Sequence, residues 1–230
     1  MFDYDAERLR ALLTELIRSN INEEAWTWLS DKFFSLDIKS INSAFAMMPR
    51  KTGKLPIIIT SEQEAEIETL KSGFSLKGWT ADKLARTCLI LYIDPSDKRK
   101  YFNTIDNLFL AAEVQELVAL YASLSLFAWP EEWEMRCAEG IRSNIGLVLE
   151  SIMYNNPYPT IYLDEKAWNQ LVLKAFFTDK DLNKIAGIDK RANAELAATL
   201  CDYAHERWAA NRSINPHLWR LTTNFIDGKL

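Results

Sequence analysis

Apolar residues recur every three or four positions along most of this chain, the spacing of amphipathic helices. Ala6, Leu9, Leu12, Leu13, Leu16 and Ile17 form one such stripe, on a helix that Asp3 is placed to cap. Asn22 opens a second helix with Ala25, Trp26, Leu29 and Phe33, and a third is predicted from Ser40 to Met48. Pro49 to Pro56 reads as a loop, and Ile57-Ile58-Ile59 as extended chain lying on the core. Thr60 starts an acidic helix ending near Lys71, which Ser72-Gly73 breaks. Thr80 caps a helix carrying Leu84, Cys88, Leu91 and Tyr92 that stops before Pro95. Ser96 begins the next, through Phe102, Ile105 and Leu108, and Ala111 to Ala128 is the most apolar helical stretch.

The second half continues the pattern. Pro130-Glu131-Glu132 is a helix start, with proline in the first turn and acids at the positive end of the dipole. Asn144-Ile145-Gly146 and Asn155-Asn156-Pro157 punctuate the following pair. Asp164 caps a helix containing Trp168 and Phe176, and Asp179 or Asp181 starts a short one that ends at Gly187. A long helix is predicted from Arg191 to Asn211, and Asn215-Pro216 caps the last. Such an alternation of helices and short connections predicts an all-α fold of stacked antiparallel helix pairs, an irregular α-solenoid or HEAT-like helical array in shape. No fixed-period repeat is present, and no linker-like segment divides residues 1–230, so one helical domain is expected.

Composition agrees. Seven glycines and seven prolines are too few for the many tight turns of an all-β fold. The net charge is −5, from 27 basic and 32 acidic residues, and Lys98-Arg99-Lys100 is the densest basic run. Nucleic-acid binding, which needs a basic stripe or patch, is disfavoured. The longest uncharged apolar stretch, Leu117 to Pro130, is too short for a transmembrane segment. The charged amphipathic start MFDYDAERLR is no signal peptide. Cys88, Cys137 and Cys201 are odd in number, far apart and set in apolar patterns, as buried thiols of a reducing compartment are. These features predict a cytoplasmic protein.

Candidate chemistry is confined to polar residues inside apolar helical patterns. A buried polar group without a partner costs about 1–3 kcal/mol, so each must be explained. On a helical wheel for the 191–211 segment, Asn193 and Arg207 fall within the arc of Leu196, Leu200, Tyr203, Ala204 and Trp208, with His205 at its margin and Arg191 on the outer face. Arg207, with His205 beside it, would bind an anionic ligand, pair with a buried carboxylate or cap carbonyls at the helix end. Asn169 and Lys174 interrupt the helix after Asp164; Lys174 would bind phosphate, act as a base if its pKa falls, or lay its stem on apolar surface. His205 and His217 are the only histidines, and no CxxC spacing or HExxH pattern is present, so neither a zinc site nor any cofactor is predicted. No GxGxxG, P-loop or GxSxG motif occurs, and Trp129 and Trp133, beside Pro130, read as core anchors.

The segments AWNQLVLKAFF (167–177), IDKRAN (188–193), DYAHERWAANR (202–212) and NPHLWR (215–220) resemble the EboA family, strongly over the last third of the chain. The resemblance implies a place among the products of bacterial ebo gene clusters. Their other members look like a TatD-type metal hydrolase, a UbiA-like prenyltransferase, a dehydroquinate-synthase-like protein and a sugar-phosphate-isomerase-like protein. It implies an accessory or binding role in making or exporting a small secondary metabolite, with other ebo-cluster proteins or a small-molecule intermediate as partners. It carries over no catalytic residues. The ligand- or partner-binding candidates are Asn169, Lys174, Asn193, His205 and Arg207, and the rival expectation is an enzyme of unrecognised type using Arg207, His205, Lys174 and Asn169 around a pocket.

Overall fold

The computed structural model describes residues 1–34 and 37–225 of the chain. The first half holds α1 (Ala6–Asn20), α2 (Glu23–Lys32), α3 (Ile38–Thr52), α4 (Ser61–Leu70), α5 (Ala81–Leu91), α6 (Lys98–Ala111) and α7 (Val114–Ala122). The second half holds α8 (Glu134–Arg142), α9 (Gly146–Met153), α10 (Tyr158–Tyr162), α11 (Glu165–Phe177), α12 (Ala194–Ala209) and α13 (His217–Thr222). The fold is all-α. β pairing among the described residues is limited to two isolated antiparallel bridges, Pro56–Thr80 and Tyr154–Ile185. None of these helices is long and apolar enough to cross a membrane.

The helices gather around α5, which packs on α1, α3 and α7, while α7 also packs on α9 and α11 on α12. A helix surrounded in this way must be buried all round, and every residue of α5 is buried except Lys83. Its charged residues therefore need partners. Arg86 Nη1 donates to Asp82 Oδ2 at 2.8 Å, one helical turn away, and Thr80 Oγ1 donates to the other Asp82 oxygen at 2.6 Å. The Arg86 Nη2 lies 4.0 Å from Glu116 Oε1 on α7.

The third arm of Arg86 answers a defect in α3. Pro49 lies inside that helix, which continues to Thr52, beyond the expected stop at Met48. Proline has no N–H, so the carbonyl four residues earlier, that of Phe45, loses its helical partner. Arg86 Nε fills that place at 3.0 Å. Gly53, at φ +76, ends the helix.

Other boundaries move for similar local reasons. Asp5, not Asp3, caps α1, because Asp3 takes the Lys71 ammonium at 2.6 Å and the Tyr162 hydroxyl at 2.7 Å. Asp97, not Ser96, caps α6. The predicted apolar helix from Ala111 to Ala128 is two elements. Glu113 and Glu116 form a capping box that restarts the chain as α7. Past Ala122 the chain tightens into a 3₁₀ turn at Leu124–Leu126. Trp133 is buried and stacked on Phe102 at 4.4 Å, as a core anchor should be. Cys88, Cys137 and Cys201 are buried free thiols.

Candidate ligand-binding cleft

The residues predicted to form a polar site do not converge. Asn193 is not inside α12 but caps it, its Oδ1 accepting from Leu196 N at 2.8 Å. Its Nδ2 donates to Asn169 Oδ1 at 2.9 Å, and Asn169 Nδ2 returns a bond of 3.3 Å, so the two amides clasp α11 to the start of α12. Lys174 reaches the opposite way, donating to the Ser143 carbonyl at 2.9 Å beyond the end of α8. His205 is exposed, 5.7 Å from the Trp208 ring. Arg207 is half-buried and donates to the Ser213 carbonyl through Nε and Nη2, at 2.9 and 2.7 Å. Of the expectations for Arg207, burial with a carboxylate partner is corrected, and the bonds it makes are to a main-chain carbonyl just past the helix end. In the last turn of α12, Trp208 on the same arc is 48% exposed, beside Trp219 of α13 at 6.2 Å. Arg191, assigned to the outer face, instead donates to the carbonyls of Pro159, Thr160 and Leu163 and lies over the Trp168 ring.

A cleft of about 360 Å³ lies where α5, α7 and α9 meet the 71–80 loop and a 3₁₀ turn at Leu182–Lys184. Three lysines, Lys77, Lys83 and Lys184, and a single glutamate, Glu150, line it. The glutamate is already neutralised, since Lys180 donates to its Oε1 at 2.6 Å. Lys184 has Asp181 at 3.4 Å in an exposed pair, a weak tie, and lies over the Tyr154 ring. Val118 and Leu147 give the cleft apolar surface, and Leu147 is 50% exposed.

Lys83 is the distinctive group. It is the one position where the buried α5 helix opens to this cleft. Its ammonium stands 4.2 Å from the centroid of the Trp79 ring, whose face supports a cation. Among the described residues it forms neither an ion pair nor a hydrogen bond, because the adjacent Asp82 is committed to Arg86 and Thr80. Burial pushes Lys83 down from lysine's usual 10.5 to about 8, with Asp82 opposing in part. The site thus holds a partly desolvated cation that has no ion-pair partner among the described residues, in a protein that is acidic overall. In ADKLARTCLIL the signal was present but unread: Asp82 and Arg86 stand at i and i+4 and satisfy each other, leaving Lys83 as the odd charge.

The frame of the cleft is made by the main chain. Asn155 N donates to the Lys184 carbonyl at 2.9 Å, and the Asn155 carbonyl accepts from Ser75 N at 3.3 Å. Asn155 takes φ +51, a left-handed conformation that asparagine tolerates. Ile57 N donates to the Trp79 carbonyl at 3.0 Å. A second, more open groove of about 640 Å³ lies beside Trp26 and Tyr92, lined by one acid, Glu15, and one base, Arg18, which lies over the Trp26 ring.

Comparison with known proteins places the whole chain rather than its last third. No curated protein and no solved structure matches it. The family model described as "Metabolite traffic protein EboA" matches residues 9–223, nearly all of the 230. The chain belongs to the EboA family.

Proposed function

We propose that this protein is a non-catalytic accessory component of a small-molecule pathway, which holds a pathway intermediate in the Lys83 cleft and passes it to a partner protein. It does so as one helical domain in the cytoplasm. The observation that carries this reading is the Lys83 ammonium, set in a concave surface without an ion-pair partner among the described residues. A desolvated charge costs stability unless a partner arrives, and a ligand is such a partner. The family description, metabolite traffic, supports holding over conversion.

The remaining groups in the cleft support a binding role. Ser151 donates its hydroxyl to the Val148 carbonyl, and the Tyr154 hydroxyl accepts from Asp181 N at 2.8 Å. The hydroxyls of the cleft are thus engaged with the main chain, and what the cleft presents to a ligand is ammonium groups and apolar surface. The enzyme alternative, built on Asn169, Lys174, His205 and Arg207, has less support, because Asn169, Lys174 and Arg207 are spent on separate structural bonds and His205 is exposed.

Native mass spectrometry of the protein isolated from cells expressing its whole gene cluster tests this. The wild-type chain should carry a small-molecule adduct that Lys83→Met lacks. Identical spectra for both, with or without an adduct, would remove the cleft from the function.

A further inference from the structure

We infer that the cleft selects an amphipathic organic anion, a carboxylate or phosphate monoester whose charged end meets Lys83 and whose apolar body lies on Leu147 and Val118. This rests on the reading of the cleft as the metabolite site and names the class of metabolite.

Charge comes first. Lys77, Lys83 and Lys184 line one cleft, and its single carboxylate is occupied by Lys180. A cationic ligand would meet three ammonium groups, and a neutral one would leave Lys83 unpaired. An anion completes the pair that the fold leaves open, in surroundings where screening by water is reduced. Trp79, 5% exposed, also lines the cleft, and its ring carries the Lys83 ammonium at 4.2 Å.

The apolar half follows from the lining. Leu147 lies on the first turn of α9 and is half exposed, although the rest of that helix supplies core residues such as Val148, Leu149 and Ile152. With Val118 it gives apolar surface in the same cleft as Lys83. A bare inorganic anion would leave that surface wet, whereas an aryl or alkyl group would cover it. About 360 Å³ lies at the small end of the range for ligand pockets, which favours a compact molecule.

Four probes and two variants separate the possibilities. Benzoate and phenyl phosphate are organic anions of the two head-group types, benzyl alcohol is their neutral counterpart, and inorganic phosphate lacks the apolar body. Binding is read by NMR of protein carrying ¹³C-labelled lysine, with the Lys83 signal identified by its loss in Lys83→Met. At least one organic anion should bind about tenfold more tightly than both benzyl alcohol and inorganic phosphate, and should shift the Lys83 signal. Which of the two binds better fixes the head group. Lys83→Met should weaken that anion about tenfold, and Leu147→Asn should weaken it severalfold without changing inorganic phosphate. Leu147 is half exposed, so its replacement leaves the fold intact. Equal binding of benzyl alcohol, or unchanged anion binding in Lys83→Met, overturns the anion assignment. Equal binding of inorganic phosphate overturns the apolar half. An adduct in native mass spectrometry that depends on Lys83 but proves neutral would sink the ligand class while the metabolite-holding role stands.

Discussion

Asp82 and Arg86, one turn apart on α5, form an ion pair of 2.8 Å with both side chains almost withdrawn from water, 7% and 2% exposed. Breaking such a pair from one side is far more costly than replacing both members, because the survivor is left as a buried charge. Arg86→Met should lower stability by about 3–5 kcal/mol. It strands the Asp82 carboxylate and also the Phe45 carbonyl that Pro49 leaves without a helical donor. Adding Asp82→Leu should recover a measurable part of that loss. Urea denaturation of the two single variants and the double variant checks this, and additive losses would show that the pair does not couple.

Lys83→Met should raise the melting temperature near pH 7, since it removes a charge held out of water without a partner. The sign follows from the depressed value. The Lys83 ammonium titrates at about 8 in the folded chain and at 10.5 when unperturbed. Between these values the unfolded chain binds more protons, so the stability contributed by Lys83 rises with pH. Below 8 its cost is fully present. The charged and titratable groups around it, Asp82, Lys77, Lys184, Glu150 and Tyr154, are common to both proteins and cancel in the difference. The advantage of the variant should be constant below pH 8 and shrink towards pH 10. Paired thermal melts across that range measure it, and an advantage that grows with pH would refute the assignment.

Asn193→Ala removes the cap of α12 and leaves the Asn169 amide, 6% exposed, without its partner. The two losses together should cost about 2–4 kcal/mol. Asn193→Asp keeps an acceptor for Leu196 N but gives up the donor to Asn169, and should fall between the two. Denaturation midpoints in urea rank the three proteins, and an Asn193→Ala protein as stable as wild type would contradict the clasp.

Gly140 sits in α8 where alanine would ordinarily stabilise a helix by about 1 kcal/mol. Here a Cβ would meet Ile152 Cδ1 and Tyr121 Cε1 at 2.5 Å, from α9 and α7. The Ile152 tip can move, but the Tyr121 ring is packed edge-on against Phe109. Overpacking should win, with Gly140→Ala less stable by about 1–2 kcal/mol. A thermal melt shifted upward would show that the three helices can separate freely.

The helices were legible because their apolar stripes and caps are local. Asn22, Thr60 and Asp164 each mark the start that the chain uses. Where prediction and structure part, a specific bond decides. The proline rule ended α3 at Met48, and only the arrival of Arg86 from α5 explains why the helix runs on past Pro49. Asn193 looked buried in a helix because the wheel was begun at Arg191, two residues before the cap. The cleft was hidden for another reason. It is assembled from segments far apart in sequence, and its key residue looks ordinary in an Asp-Lys dipeptide until the partners of Asp82 are known.

The main-chain bonds around Asn155 have a consequence for how this family can diversify. Ser75, Asn155 and Lys184 are joined through amides and carbonyls, so the segments that carry Lys77, Tyr154 and Lys184 are linked by bonds that do not depend on the side chain of Lys77 or Lys184. The contents of the cleft can therefore be exchanged while its mould stays the same. If the cleft holds a metabolite as proposed, a relative with different residues at positions 77 and 184 would keep these backbone bonds and accept a different cargo.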